Sequence, residues 1–171
     1  MNTKNKILIL MALFATSFAF SYEVNDFVKD NMVTEIDKRG KTKRVEVSDV
    51  VDPKHRVTLV EFYASWCGAC NKNMPHLKEL NDSLGSKMTI RLVAQDSKRG
   101  ALNFLRKHAR FIDYPVSYDE ESNLIFKENE YNVKSLPTTF LIDESGRVLY
   151  RHLGVLNFLS KRKIKSIVNR L

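Results

Sequence analysis

The segment VEFYASWCGAC, residues 60–70, holds both cysteines of the chain, Cys67 and Cys70, with only Gly68 and Ala69 between them. A disulfide across so small a loop removes little entropy from the unfolded chain, so a stabilising cross-link explains the pair poorly. A structural zinc site would need two further ligands from His55, His76, His108 and His152, and no two of these have the spacing of a zinc finger. Thiol redox chemistry is the better reading. Upstream, RVTLVEFYA (56–64) is rich in β-branched and aromatic residues and short enough for a buried strand. Downstream, CNKNMPHLKELNDSLG (70–85) sets Leu77, Leu80 and Leu84 at i, i+3 and i+7 and ends at Gly85, an expected helix terminator. The cysteines thus lie at a strand-to-helix junction. The free N–H groups and dipole of a helix N-terminus favour a thiolate. This makes Cys67 the expected nucleophile and Cys70, one turn further in, the thiol that resolves a mixed disulfide.

The first twenty residues, MNTKNKILILMALFATSFAF, run from two lysines through an apolar stretch to small residues at Ser17 and Ala19, as in a secretory signal peptide. Cleavage is expected after Ala19, or as late as Ser21. From Ile7 to Phe20 the residues are uncharged but number only fourteen, short of the about 17–20 that span a bilayer; an uncleaved membrane anchor is the alternative. Residues 20–171 are then read as one globular domain, since a chain of this length with 43% hydrophobic residues can bury one continuous core. Losing Lys4 and Lys6 lowers the net charge from +8 to +6. That mild basic bias in an exported protein does not point to nucleic acid, although an anionic membrane surface or acidic partner is compatible with it.

MTIRLVAQD (88–96) reads as a strand, KRGALNFLRKHAR (98–110) as a helix with Leu102, Leu105 and Ala109 on its buried face, and YPVSYD (114–119) as a short strand. ESNLIFKENEYNV (121–133) is expected to form a further helix using Leu124 and Ile125, and MVTEIDKRGKTKRVEV (32–47) a hairpin turning at Arg39 and Gly40. In KRKIKSIVNRL (161–171), Ile164, Ile167, Val168 and Leu171 define the apolar face of a C-terminal helix whose other face is basic. His76 is expected on a helix surface. The sequence has no repeats, low-complexity tracts, phosphate-binding glycine loop or hydrolase triad.

VEFYASWCGAC followed by Pro75 resembles the active-site strand, W-C-x-x-C motif and kinked helix of the thioredoxin superfamily, and SLPTTFLID (135–143) resembles its cis-proline loop and following central strand. About forty residues separate the strand at 88–96 from this loop. An additional strand and helix there, with a closing hairpin LPTTFLIDESGRVLYRHLG (136–154) turning at ESGR, is similar to the exported TlpA/ResA group of thiol–disulfide oxidoreductases. The resemblance covers roughly residues 45–171. It implies an α/β thioredoxin-like fold: a central mixed β-sheet flanked by helices, with an N-terminal β-hairpin and a strand–helix insertion before the cis-proline loop. It further implies that Pro137 is cis and that the backbone of Leu136 pairs with an extended substrate.

Glu61 lies six positions before Cys67, where thioredoxin-like proteins frequently carry a buried acid. Alternation alone would place it on the solvent side of Val60 and Phe62, but a central α/β strand is covered on both faces. A buried carboxyl favours its neutral form, and Glu61 is expected to exchange a proton with Cys70. Trp66, directly before the nucleophile, is expected to shield the cysteines and to form part of an apolar docking surface. The implied activity is dithiol–disulfide exchange without a bound cofactor or metal, by a periplasmic or otherwise exported monomer. Its implied partners are protein thiols or disulfides, with a membrane thiol reductant as electron donor. Reduction of exported disulfides, as in cytochrome c maturation, is the leading expectation. Disulfide oxidation or isomerisation is the alternative, along with copper chaperoning of the Sco type, from whose C-x-x-x-C spacing this pair departs.

Overall fold

The computed structural model describes residues 23–26, 32–46, 55–113, 116–119 and 131–171. The expected signal peptide and the helix expected around Leu124 and Ile125 lie outside the described residues. The β-branched and aromatic run at the centre of the chain forms β3 (Val57–Tyr63), and every residue of it is buried. It leads into α1 (Gly68–Leu84), which contains Pro75 and buries Leu77, Leu80 and Leu84. β4 (Met88–Ala94) returns parallel to β3. It is followed by α2 (Lys98–Lys107) and β5 (Val116–Tyr118), which pairs parallel to β4.

β6 (Thr138–Asp143) lies antiparallel on the other side of β3, and β7 (Val148–Leu153) is antiparallel to β6. Between them, Asp143 Oδ1 accepts the N–H groups of Ser145 and Arg147, and Gly146 turns the chain with φ of 84°. The expected N-terminal hairpin is β1 (Met32–Ile36) and β2 (Thr42–Glu46), which joins the sheet through antiparallel pairing of β1 with β5. Its turn is built similarly: Asp37 Oδ1 accepts from Arg39 and Lys41, and Gly40 takes φ of 82°. The mixed sheet runs β2-β1-β5-β4-β3-β6-β7.

Side-chain alternation divides the core between the two faces of the sheet. Val57, Leu59 and Tyr63 belong to the face packed by α1, α2 and the C-terminal helix α3 (Phe158–Arg170), whereas Val60 and Phe62 join Phe140, Tyr131 and Val133 on the other. Glu61 has the parity of Leu59 and Tyr63, so it points toward α1 rather than into solvent.

Three expected features differ in detail. The buried face of α2 consists of Ala101, Phe104 and Leu105, continued by His108 at the C-cap. Ala109 is exposed because the helix has already ended, and Leu102 is only half-buried. Tyr131–Val133 are not helical: Asn132 adopts φ of 41°, which lets Tyr131 and Val133 both enter the core. In α3, Ile164 and Val168 are buried and Ile167 packs half-buried against the same core, while Leu171 lies past the helix end and is exposed. Asn157 caps α3 reciprocally with Ser160: each side chain accepts the other's backbone N–H.

Gly85 does cap α1, but not by adopting a left-handed conformation, since its φ is −59°. Space is what demands glycine there: a Cβ would sit 2.7 Å from the Asn81 carbonyl oxygen. Gly85→Ala is therefore expected to destabilise the fold by about 1–3 kcal/mol through overpacking against backbone, measured by denaturant unfolding; unchanged stability would show that the turn relaxes freely.

Candidate redox site

β3 ends with its chain directed at one edge of the sheet, and residues 64–67 carry it into the first turn of α1. Cys67 is the N-cap of that helix, with extended φ and ψ of −79° and 107°, and its Sγ accepts the Cys70 N–H at 3.1 Å. The two cysteines form a disulfide, with Sγ atoms 2.08 Å apart. Cys67 retains 7% exposure and Cys70 none, so only the first sulfur can be approached from outside. The helix has no acidic residue in its first turn, leaving its positive end uncompensated beside Cys67.

Two side-chain networks hold this turn. Asn71 Nδ2 donates to the Cys67 carbonyl at 2.9 Å, and Asn71 Oδ1 accepts from His108 Nε2 at 2.6 Å. Because the amide nitrogen is already directed at Cys67, the imidazole proton sits on Nε2. Burial, then the neighbouring Lys107 and Arg110, lowers the His108 pKa, and its ring packs against Phe104 and Phe111. On the other side, Asp96 Oδ2 accepts the Ser65 N–H at 2.8 Å and Oδ1 accepts the Ser97 N–H at 3.0 Å. Gly100 makes room for that carboxylate, since a Cβ there would lie 1.9 Å from Oδ1.

Beneath the disulfide, Glu61 is completely buried. Its Oε2 accepts from Asn73 Nδ2 at 2.7 Å and from Thr139 Oγ1 at 3.3 Å, while Oε1 has no hydrogen-bond partner. Loss of hydration pushes its pKa up to about 8, against the lowering effect of those two bonds. The carboxyl is therefore mostly neutral at pH 7, as expected for an acid in this strand.

The Leu136–Pro137 peptide bond is cis. Leu136 lies two residues before the paired segment of β6, which begins at Thr138, and packs against the core cluster containing both cysteines. Thr138 Oγ1 donates to the Ser135 carbonyl and Gly154 N–H to that of Pro137, at 2.6 and 2.8 Å. Since Phe62 pairs with Thr138 and Thr138 with Leu153, the ends of β3 and β7 and the start of β6 meet at the sheet edge that bears Cys67. Trp66, 72% exposed, and Leu153, 54% exposed, leave apolar surface at that edge. Of the six expected site residues, Glu61, Cys70 and Pro137 are buried, Cys67 keeps only its 7% exposure, Leu136 is half-buried and Trp66 is exposed.

Sequence reading missed Asn71, Asn73, Asp96 and His108. Two of them left a signal. Asn73 occupies the position before Leu77 in the apolar stripe of α1, and His108 follows Phe104 at i+4, so each is a polar residue on a buried face. His76 is half-buried on α1, with Nδ1 3.4 Å from Lys161 Nζ on α3. Among the described residues, no group of three or more His, Cys, Asp and Glu side chains is arranged to hold a metal ion, and no helix is long and apolar enough to cross a membrane.

Comparison with known proteins agrees with this architecture. Thiol-disulfide oxidoreductase ResA of Bacillus cereus is 31% identical over 114 residues, 66% of this chain; the aligned part spans 61% of the length of that relative. Thioredoxin-like protein YneN of Bacillus subtilis is 30% identical over 68% of this chain and 67% of its own length. A crystal structure from Chlorobium tepidum, assigned as a thiol:disulfide interchange protein DsbE, superposes with a TM-score of 0.68 at 26% identity, covering 88% of this chain and 98% of that one. The Redoxin family model matches residues 23–166, a span that takes in the N-terminal hairpin, the disulfide and the cis-proline loop. With fold, motif and relatives in agreement, this chain belongs to the Redoxin family as a ResA-like member with a thioredoxin-like fold.

Proposed function

We propose that this protein is an exported thiol–disulfide oxidoreductase that reduces disulfides in other exported proteins. The observation that carries the reading is the asymmetry of the pair, with Cys67 reachable at a helix N-terminus and Cys70 sealed beside a buried acid. The Cys67 thiolate, favoured by the helix end and the Cys70 N–H, attacks a substrate disulfide, and one substrate cysteine leaves as a thiolate and takes a proton. Glu61 then accepts the proton of Cys70, whose thiolate attacks Sγ of Cys67. The Cys67–Cys70 bond forms, the mixed disulfide breaks, and the second substrate thiol is released. Two electrons pass to the substrate, and a membrane thiol reductant restores the dithiol.

Trp66 and the backbone of Leu136 beside Pro137 are proposed to dock the substrate, with the extended peptide lying along the sheet edge. The leader-like composition of the first twenty residues supports export, and the protein is proposed to act as a monomer without a resident cofactor. Cytochrome c maturation is a process that needs such a reductant.

Cys70→Ser is expected to accumulate mixed disulfides through Cys67, because the nucleophile remains and cannot be displaced. Trapping by Cys67→Ser and not by Cys70→Ser, read on non-reducing gels, would reverse the roles.

For Glu61 the pH dependence has a definite sign. The ionised fraction that can accept the Cys70 proton rises through about pH 8, so resolution of the mixed disulfide should accelerate across that range and then level off. Glu61→Gln should remove the limb. The same carboxyl makes folding less favourable as pH rises, since the native state holds a proton that the unfolded chain releases near 4.5. Between those values the parent should lose up to about 1.4 kcal/mol per pH unit relative to Glu61→Gln. An unchanged rate profile in stopped-flow assays would make Glu61 purely structural.

Direction is tested by the reduction potential. Gly68 and Ala69 place no charged or imidazole group between the cysteines, so the thiolate gains only moderate stabilisation. The potential should lie nearer about −270 mV than the about −120 mV of a strong oxidant. A value above roughly −160 mV in glutathione or dithiothreitol buffers would make the protein a disulfide donor instead.

A further inference from the structure

Asn73 is fully buried and both ends of its amide are engaged. Nδ2 donates to Glu61 Oε2 at 2.7 Å, and Oδ1 accepts the Leu156 backbone N–H at 2.8 Å. A backbone N–H can only donate, so the Leu156 bond fixes which end of the amide faces which neighbour. Asn73 can offer Glu61 nothing but a donor. Oε2 already receives the amide hydrogen and that of Thr139 Oγ1, so both its lone-pair sites are used and a neutral carboxyl carries its proton on the other oxygen. The remaining oxygen, Oε1, is buried and has no partner.

We propose that Asn73 is a positioning residue that directs the exchangeable proton of Glu61 to Oε1 and couples the charge state of Glu61 to the 154–157 loop through the Leu156 N–H. The proposal rests on the reading of Glu61 as the proton acceptor for Cys70 and adds the device that orients it. When Glu61 ionises, the Asn73 bond becomes charge-assisted and shortens toward the carboxylate. The same polarisation makes Oδ1 a better acceptor for Leu156, so an ionised Glu61 tightens the loop and a protonated one relaxes it. That loop is bounded by Leu153 and Phe158, both exposed. Proton transfer in the core is thereby felt at the docking edge.

The surroundings of Glu61 leave Asn73 as the strongest bond favouring ionisation. Its neighbours across the sheet are Leu92 on β4 and Thr139 on β6. The titratable groups in the core on the same face are Tyr63, two residues along β3, Tyr118 on β5, the half-buried Tyr150 on β7, and Cys67 and Cys70, which are held in the disulfide. Among the described residues, no charged side chain contributes to its titration.

Two variants separate the two bonds. Asn73→Leu removes both bonds, and Asn73→Asp keeps an acceptor for Leu156 while setting a second carboxyl against Oε2, so that the pair titrates jointly and its midpoint is not used. In oxidised protein labelled with carbon-13 at glutamate carboxyls, the Glu61 midpoint should rise by about one pH unit or more in Asn73→Leu. Hydrogen exchange at Leu156 should accelerate about ten-fold or more in Asn73→Leu and remain near the parent rate in Asn73→Asp. A midpoint within about 0.3 units of the parent in Asn73→Leu overturns the proposal, as does Leu156 exchange that is indifferent to that substitution. Should Asn73→Leu not fold, the smaller Asn73→Ala, which also removes both bonds, supplies the same two readouts. Failure of the underlying reading is distinguishable: it appears as an unchanged rate profile in Glu61→Gln while the Asn73 shifts stay intact.

Discussion

Burial of β3 on both faces is the constraint from which the site follows. A strand so enclosed has no solvent side, so the one acidic residue within it must enter the core. The same enclosure aims the chain at a single edge of the sheet, where it emerges directly as the first turn of α1. One strand therefore places a carboxyl below the turn and a thiol at its tip. The remaining parts support that placement: Asp96 ties Ser65, Asn71 ties the Cys67 carbonyl, and Asn73 ties Glu61 to the loop before α3.

The contrast between the two cysteines comes from the same geometry. Cys67 stands at the helix cap, where unpaired amide groups and residual exposure favour negative charge, while Cys70 lies one turn inward with no access to water. A proton leaving Cys70 cannot go directly to solvent. The desolvation that raises the Glu61 pKa favours the protonated form of that carboxyl, beneath a sulfur that water does not reach.

Much of this was legible in the sequence because it follows from local chemistry. The strand at 57–63, the leucine stripe of α1 and the two Asx-type turns ending in Gly40 and Gly146 each depend on residues close in sequence. Glu61 was legible only together with the enclosure of its strand, since alternation by itself points it outward. What escaped were contacts between residues distant in the chain. His108 meets Asn71 across 37 positions and Asn73 meets Leu156 across 83; in the sequence each is only a polar residue interrupting an apolar stripe. The end of α2 was misjudged for a related reason: Ala109 continued the helical period, but the chain turns after His108 to bury the imidazole against two phenylalanines.

Trp66 is the chain's single tryptophan and stands largely in solvent beside the disulfide. With selective excitation, all indole emission from this protein comes from one ring adjoining Cys67 of the disulfide. A disulfide quenches a neighbouring excited indole more strongly than a dithiol does, and a docked peptide would withdraw the ring from water. The molecule therefore carries an intrinsic optical reporter beside its cysteine pair, and both redox titration of that pair and peptide binding can be followed on unlabelled protein.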